Sequence, residues 1–600
     1  MQKYNCRNEV PEEYKWDLTD FFKDDKEFKK SLEEAQSKIE DLVNYSNCVK
    51  NAQEMYEFLE KSVAAIALWE DLYVYAYLVN DQELGNSNSQ DRLNKTILLN
   101  SLYEKNTSFF APELLKLKQD EYDKLFKDEP RLMAYKADLD RTYRQKEHCL
   151  TENEEKIIAE LTGSMNKYEQ ISSTLLNSLH DYGKIKLDDG TVETIATNNL
   201  RRLLKNKNRE IRKKVYNSFY KKIDQYEDTS ASLLGSYIAM NDSIAKIRHY
   251  DDSWASLLDS LNLDDKVFQT LVKTTEANLD VLQKYYDLKK KVLGLDELHS
   301  YDLSLDITQN NREYSILEAQ DLVRQALKPL GEEYGAKFEK IIKNRYIDYC
   351  QYKGKCSGGY SFSTMNHPSR ILMSYNGDLD SISTIAHEGG HNVHHQFLME
   401  NNPLQYREQA SLVSEVCSLT NECLLSHYVV LNAKTKEEKL RGLYNIMGVI
   451  VSNLFGAVRE GKMEQEMYEY VHEGNSLTKD YMDDLTKKSL KKYYGNSVKL
   501  DKYSKCSWVL RSHYYMHFYL YSYAICISVA TNVASNILSG SKEALDKYIE
   551  FMKCGGDKWP AEAFAILGIS LDDENVYKKA IEYFDNLLEE YRKIYFDKEV

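Results

Sequence analysis

Ser383-Thr384-Ile385-Ala386-His387-Glu388-Gly389-Gly390-His391 opens a stretch, Ser383 to Glu400, whose spacing predicts one helix. Two histidines four residues apart on a helix lie about 40° apart in azimuth and about 6 Å apart in rise, so both imidazoles can reach one ion. Glu388 points about 100° further round, toward a water activated by that ion rather than into the ligand pair. This division of labour suits a zinc hydrolase with a glutamate as general base. Because H-E-x-x-H also arises by chance in a long chain, the neighbouring sequence has to supply the rest of the site.

A zinc site with two histidines needs a third protein ligand, and the nearby candidates are His394, His395, Glu400, Glu408, Glu415 and Glu422. His394 shares the stripe of His387 and His391, but its Cα is about 10 Å of rise from that of His387. It therefore fits an outer or substrate-contacting role, or the surface, while His395 points away from the stripe. Asn401-Asn402-Pro403 breaks the helix, and a second helix packing back antiparallel comes level with the ion near residue 415. Glu415 is the expected ligand: Glu408 falls near the turn and Glu422 overshoots. The setting Leu412-Val413-Ser414-Glu415-Val416-Cys417 is apolar, and an unpaired carboxylate there is costly. Glu422 lies on nearly the same face and can orient a ligand histidine.

Upstream, Lys353-Gly354-Lys355-Cys356-Ser357-Gly358-Gly359-Tyr360 is a glycine-rich loop, followed by strand candidates at Ser361-Phe362-Ser363 and Arg370 to Tyr375. An exposed strand there can pair with a peptide backbone. No G-K-[S/T] ending is present, so a phosphate loop is disfavoured. Downstream, His513-Tyr514-Tyr515-Met516-His517-Phe518-Tyr519-Leu520-Tyr521-Ser522-Tyr523 offers O–H and N–H donors for an oxyanion, although tyrosine stripes are usually core.

The whole chain has 600 residues with only seven prolines, which argues for a mostly helical protein of more than one lobe. Three segments with soft boundaries are expected: residues 1–115, residues 116–197 ending in a hairpin around Asp188-Asp189-Gly190, and residues 198–600 carrying the site. The 79 basic and 95 acidic residues leave a formal charge of −16, which disfavours nucleic acid and anionic membranes as partners. Gly442 to Val458 and His513 to Ser541 lack charged residues but read as buried helices rather than membrane spans. Ten scattered cysteines and no apolar leader predict reduced thiols in the cytoplasm.

With these residues together, the chain resembles oligoendopeptidase F among the thimet-oligopeptidase-like zinc peptidases. The resemblance runs, in order, through Pro11-Glu12-Glu13-Tyr14-Lys15-Trp16-Asp17-Leu18, the Lys353 to Ser361 loop, the H-E-x-G-H helix, Ser414-Glu415-Val416 with Asn421-Glu422, and the His513 to Tyr521 run. It implies a mostly α, two-lobed fold with a deep central channel and a small β element beside the motif helix. It implies one Zn²⁺ per chain on His387, His391 and Glu415, and Glu388 as base. The substrates are short unstructured peptides cut internally, with His513 and Tyr515, Tyr519 or Tyr521 at the substrate or oxyanion. Gly358, Tyr360, His394 and Glu422 are assigned supporting or substrate-binding places. Where relatives often carry R-I-P-H-F-Y, this chain has Leu510-Arg511-Ser512-His513-Tyr514-Tyr515, which leaves the choice among tyrosines open. A non-catalytic peptide-binding protein and an exopeptidase on the same helix are the competing readings.

Overall fold

The computed structural model describes the chain apart from residues 1–3, 152, 156, 159–166, 179–180, 309–311 and 597–600. Helices make up 71% of it, and the described strands form only a hairpin and a three-stranded sheet, so the fold is mostly α. The expected hairpin is β1, Lys184–Lys186, antiparallel to β2, Val192–Thr194. The chain divides into two compact units, each assembled from separated segments. One comprises residues 1–161, 311–428 and 533–568; the other comprises residues 162–310, 429–532 and 569–600. These boundaries do not follow the three consecutive segments expected from the sequence, because long-range packing joins stretches far apart in the chain.

In the first unit the motif helix runs Leu379–Asn401, capped by the Asp378 side chain on the Ser381 amide, and a second helix runs Ser411–Asn432. They pack antiparallel, as expected, but the return is not helical from the turn onward. Residues 402–410 form a connector with one 3-10 turn at Leu404–Tyr406, braced by backbone and side-chain bonds such as Gly556 N to Tyr406 O at 3.0 Å and Gln409 Nε2 to Gly555 O at 2.8 Å. The connector covers the climb that a helix would have made, so Glu415 still arrives level with the motif.

The two glycines inside the motif are explained by this packing. A Cβ on Gly390 would stand 2.7 Å from Ser418 Cα and 2.9 Å from Cys417 O, while one on Gly389 would stand 2.8 Å from the Phe338 ring. Each helical glycine costs about 1 kcal/mol relative to alanine, so close approach must compensate. Asn421 ties the pair together, donating to Ala386 O at 2.9 Å and accepting from Tyr334 O–H at 2.8 Å.

The sheet order is β3-β5-β4, with β3 at Ile347–Asp348, β4 at Gly359–Phe362 and β5 at Arg370–Met373. β5 is the central strand and is buried throughout, parallel to β3 and antiparallel to β4. This corrects the reading of Arg370 to Tyr375 as an exposed peptide-pairing strand: β4 has the free edge. The N-terminal Pro11 to Leu18 segment covers the sheet, with Arg370 Nε donating to Asp17 O at 3.0 Å and Tyr349 N donating to Tyr14 O at 3.0 Å.

The helix Ala52–Gln82 supplies carboxylates that hold the loops ahead of the motif. Asp71 accepts from Thr364 O–H at 2.6 Å and Asn366 at 2.8 Å, Glu70 accepts from Met365 N at 2.9 Å, and Asp81 accepts from Tyr360 O–H at 2.9 Å. It is also, among the described residues, the one helix long and apolar enough to cross a membrane by length and composition, with 44% of its apolar window buried. The two charge-free stretches noted in the sequence are instead largely buried, with Leu443, Ile446, Leu454 and Phe455 in one and Ala524 to Ile527 in the other.

Replacing Gly390 by alanine sets helix propensity, a gain of about 1 kcal/mol, against overpacking of about 1–3 kcal/mol. We expect a net loss of stability in denaturant melts. Gly448→Ala, at a helical position with nothing within 4 Å, is expected to be neutral or stabilising. A stabilised Gly390→Ala protein contradicts the packing account.

Candidate active site

The antiparallel helix pair brings His387, His391 and Glu415 together, with one potential ligand atom from each lying within 4.8 Å of the others. Glu415 Oε2 is 3.5 Å from His387 Nε2 and 3.6 Å from His391 Nε2. Two ligands bound at about 2.0–2.2 Å to one tetrahedral ion stand about 3.3–3.6 Å apart, so the spacing fits a metal. The imidazole rings stand 5.0 Å apart at 77°. Ser418 O–H donates to Glu415 Oε2 at 3.1 Å and steadies the carboxylate from one turn along.

Glu422 completes the support. Its Oε1 lies 2.7 Å from His387 Nδ1, and its Oε2 accepts from Ser383 O–H at 2.7 Å. Nδ1–H donation to this carboxylate leaves the Nε2 lone pair free for a ligand role. Burial alone would depress His387, but the hydrogen bond to Glu422 and the charges of Glu388 and Glu415 raise it to about 10. His391 has no such hydrogen bond, and burial takes it down to about 4. Glu388 is 8% exposed; burial, with the negative charges of Glu415 and Glu422, outweighs His387 and lifts it to about 7.

β4 passes beside the motif helix: a Cβ on Gly359 would stand 2.9 Å from Thr384 Cγ2 and 3.7 Å from Glu388 Oε1. Gly358 has φ +104°, a conformation that favours glycine, and its amide donates to Ser374 Oγ at 3.3 Å. Tyr360 is anchored on Asp81 rather than pointing at the ligand triad. Lys355, in the same loop, is consumed structurally. Its buried ammonium donates to Asp348 O, Cys350 O and Met373 O at 2.9–3.0 Å and pairs with Asp348 at 2.7 Å, so Lys355 itself is not available to a phosphate.

His394 is buried at 2% exposure and His395 at 5%, which excludes a surface place for His394. Both border a cavity of about 500 Å³ that His391 and Glu415 also line, so His395, although off the His387–His391 stripe, reaches the same cavity. Glu400 pairs with Lys337, away from the triad.

The second unit holds the His/Tyr run. His513 is grouped with Tyr519 and Tyr523, at ring distances of 6.5 and 5.8 Å, and all three are half-buried. Tyr515 instead packs on Tyr237 at 5.3 Å. Tyr521 is 1% exposed, between Trp254 and Phe268 and over Gly461, where a Cβ would stand 2.9 Å from its ring. The structure thus groups His513 with Tyr519 and puts Tyr521 in the core. Tyr523 lies in the first turn of the helix Leu520–Leu538 and Tyr519 just before it; only their spacing of four residues in the sequence signalled the pair. Between them, His517 and Phe518 adopt φ +39° and +61°, a strained pair for residues with side chains. The Phe518 amide donates to buried Glu464 at 2.7 Å, which holds the bend.

Known proteins resemble the chain over nearly its whole length. The profile of peptidase family M3 matches residues 202–583, and that of oligopeptidase F matches residues 113–179. An oligoendopeptidase F homolog of Borreliella burgdorferi is 30% identical, covering 98% of this chain and 99% of its own. Oligopeptidase PepF of Bacillus subtilis is 29% identical over 98% of this chain and 88% of its own. The crystal structure of oligoendopeptidase-F from Enterococcus faecium superposes with a TM-score of 0.77 at 25% identity, covering 96% of this chain and all of that one. The chain belongs to peptidase family M3, among its oligoendopeptidase F members, a family of metallopeptidases.

Proposed function

We propose that the chain is a zinc-dependent endopeptidase that hydrolyses internal bonds of short, unstructured peptides. The observation that carries the proposal is the convergence of two imidazoles and one carboxylate with Glu388 on the adjacent helical position. This is the donor set and base of a hydrolytic zinc site. His387, His391 and Glu415 would hold the zinc ion, which would supply Lewis acidity at the scissile carbonyl and the attacking water. Glu388 takes a proton from the attacking water and delivers it to the leaving amine. Glu422 fixes the tautomer of His387, and the Gly389 and Gly390 contacts hold the helix at the distance that keeps Glu415 in reach.

The free edge of β4 offers backbone groups to an extended peptide. Recognition through backbone rather than side chains suits an enzyme that accepts varied sequences. His513 and Tyr519 are the members of the aromatic run we assign to the oxyanion or substrate, with Tyr515 and Tyr521 as packing residues around them. His394 is assigned to the wall of the substrate site. Exclusion of folded proteins is an expectation carried from the family resemblance, and residence in the cytoplasm is one carried from the scattered cysteines.

Glu388→Gln is expected to retain its zinc and to lose about 10²- to 10⁴-fold in kcat/KM on an internally quenched peptide. Turnover at the unsubstituted rate refutes the base assignment. Chelation of the unsubstituted protein is expected to abolish cleavage and zinc addition to restore it. Glu422→Ala is expected to weaken zinc binding about 10- to 100-fold in a competition titration against a chromogenic chelator; unchanged affinity removes Glu422 from the site.

A further inference from the structure

The cavity beside the candidate zinc ligands has a chemistry that the proposed reaction does not use. It measures about 500 Å³ and is lined by Ser361, Ser363, His394, His395 and Arg407 together with His391 and Glu415. Its walls include two of the three candidate zinc ligands, His391 and Glu415, and the end of β4, so whatever fills it is adjacent to a peptide held at the site.

Arg407 is the feature that needs a partner. Nη1 donates to Met365 O at 2.9 Å and Nε to Asn402 O at 3.3 Å. These carbonyls fix the guanidinium in place without neutralising it. Among the described residues no carboxylate lies within 4 Å of it, and it has further N–H groups to offer. The histidines add to this: His394 Nε2 and both ring nitrogens of His395 are buried without a hydrogen-bond partner, an arrangement that costs free energy until a ligand supplies one. A fixed, unpaired guanidinium flanked by unsatisfied imidazoles is matched by a group with two acceptor oxygens and a negative charge. Glu408 also borders the cavity and opposes such a ligand, which sets the strength of the preference.

We propose that this cavity is a specificity subsite that receives a carboxylate of the bound peptide, paired with Arg407. The proposal rests on the peptidase reading above. Two sources share that chemistry: an Asp or Glu side chain near the scissile bond, and a free C-terminus.

The test uses the zinc-loaded full chain and two series of quenched peptides. In one, both ends are blocked and Glu, Gln or Lys is scanned through each position; in the other, acidic residues are absent and the C-terminus is free or amidated. The expected result is a preference of about tenfold or more in kcat/KM for Glu over Gln at one position, or for the free over the amidated end; the responding series identifies the source. Arg407→Gln is expected to bring that ratio close to one, Arg407→Glu to shift the preference toward Lys, and Glu408→Gln to raise the ratio. Should the Arg407 proteins not fold, the Glu408→Gln ratio decides alone. Cleavage with ratios near one in both series, or ratios indifferent to Arg407 and Glu408, overturns the subsite and leaves the peptidase reading standing. A zinc-loaded protein that cleaves no peptide overturns the peptidase reading itself.

Discussion

The close approach of the motif helix to the helix Ser411–Asn432 is the constraint on which the site depends. At Gly390 the two backbones come so near that a single methyl would collide with Ser418 Cα. This proximity brings Glu415, from the second helix, within 3.6 Å of both histidine Nε2 atoms. Helices separated by ordinary side chains sit about 8–10 Å apart, and removing the side chain at the crossing lets a short glutamate bridge the remaining gap. Gly389 performs the same service on the opposite side, admitting the Phe338 ring. The helix accepts two poor helix formers because their absent side chains let His387, His391 and Glu415 converge.

Around that crossing, the polar groups are mostly committed to one another. Glu422 is shared between Ser383 and His387, Glu415 accepts from Ser418, and Asn421 spans to Ala386 and Tyr334. Such mutual satisfaction fixes rotamers before any ligand arrives, so little ordering remains to be done on binding. The same economy extends to the sheet. Carboxylates of the Ala52–Gln82 helix hold Tyr360, Thr364 and Asn366, and buried Lys355 clamps three carbonyls. The edge strand beside Glu388 is thus mounted on rigid supports, with its unpaired side left open.

Much of this was legible in the sequence where the cause is local. Helical periodicity placed His387, Glu388 and His391, and counting residues through the break at Pro403 placed Glu415. Glu415 stands level with the two histidines because the connector 402–410 covers the height that a helical return would have covered. What sequence could not supply depends on partners remote in the chain. Arg370 to Tyr375 reads as a strand, but only pairing with Ile347–Asp348 on one side and Gly359–Phe362 on the other makes it central and buried. The azimuth of His395 was right for the helix but silent about the loop that folds over it. Tyr521 and Tyr519 look alike in a tyrosine run; Gly461 opposite Tyr521 is what puts one in the core. The discontinuous units are invisible to a linear reading for the same reason.

The central claim is that one ion is held by His387, His391 and Glu415. Anomalous scattering at the zinc absorption edge from crystals of the zinc-loaded protein tests it most directly. The account predicts one dominant peak bonded to those three side chains at about 2.0–2.2 Å. A peak elsewhere, for example at the cluster of Asp224, Glu227 and Cys506, with none between the two helices, would contradict it.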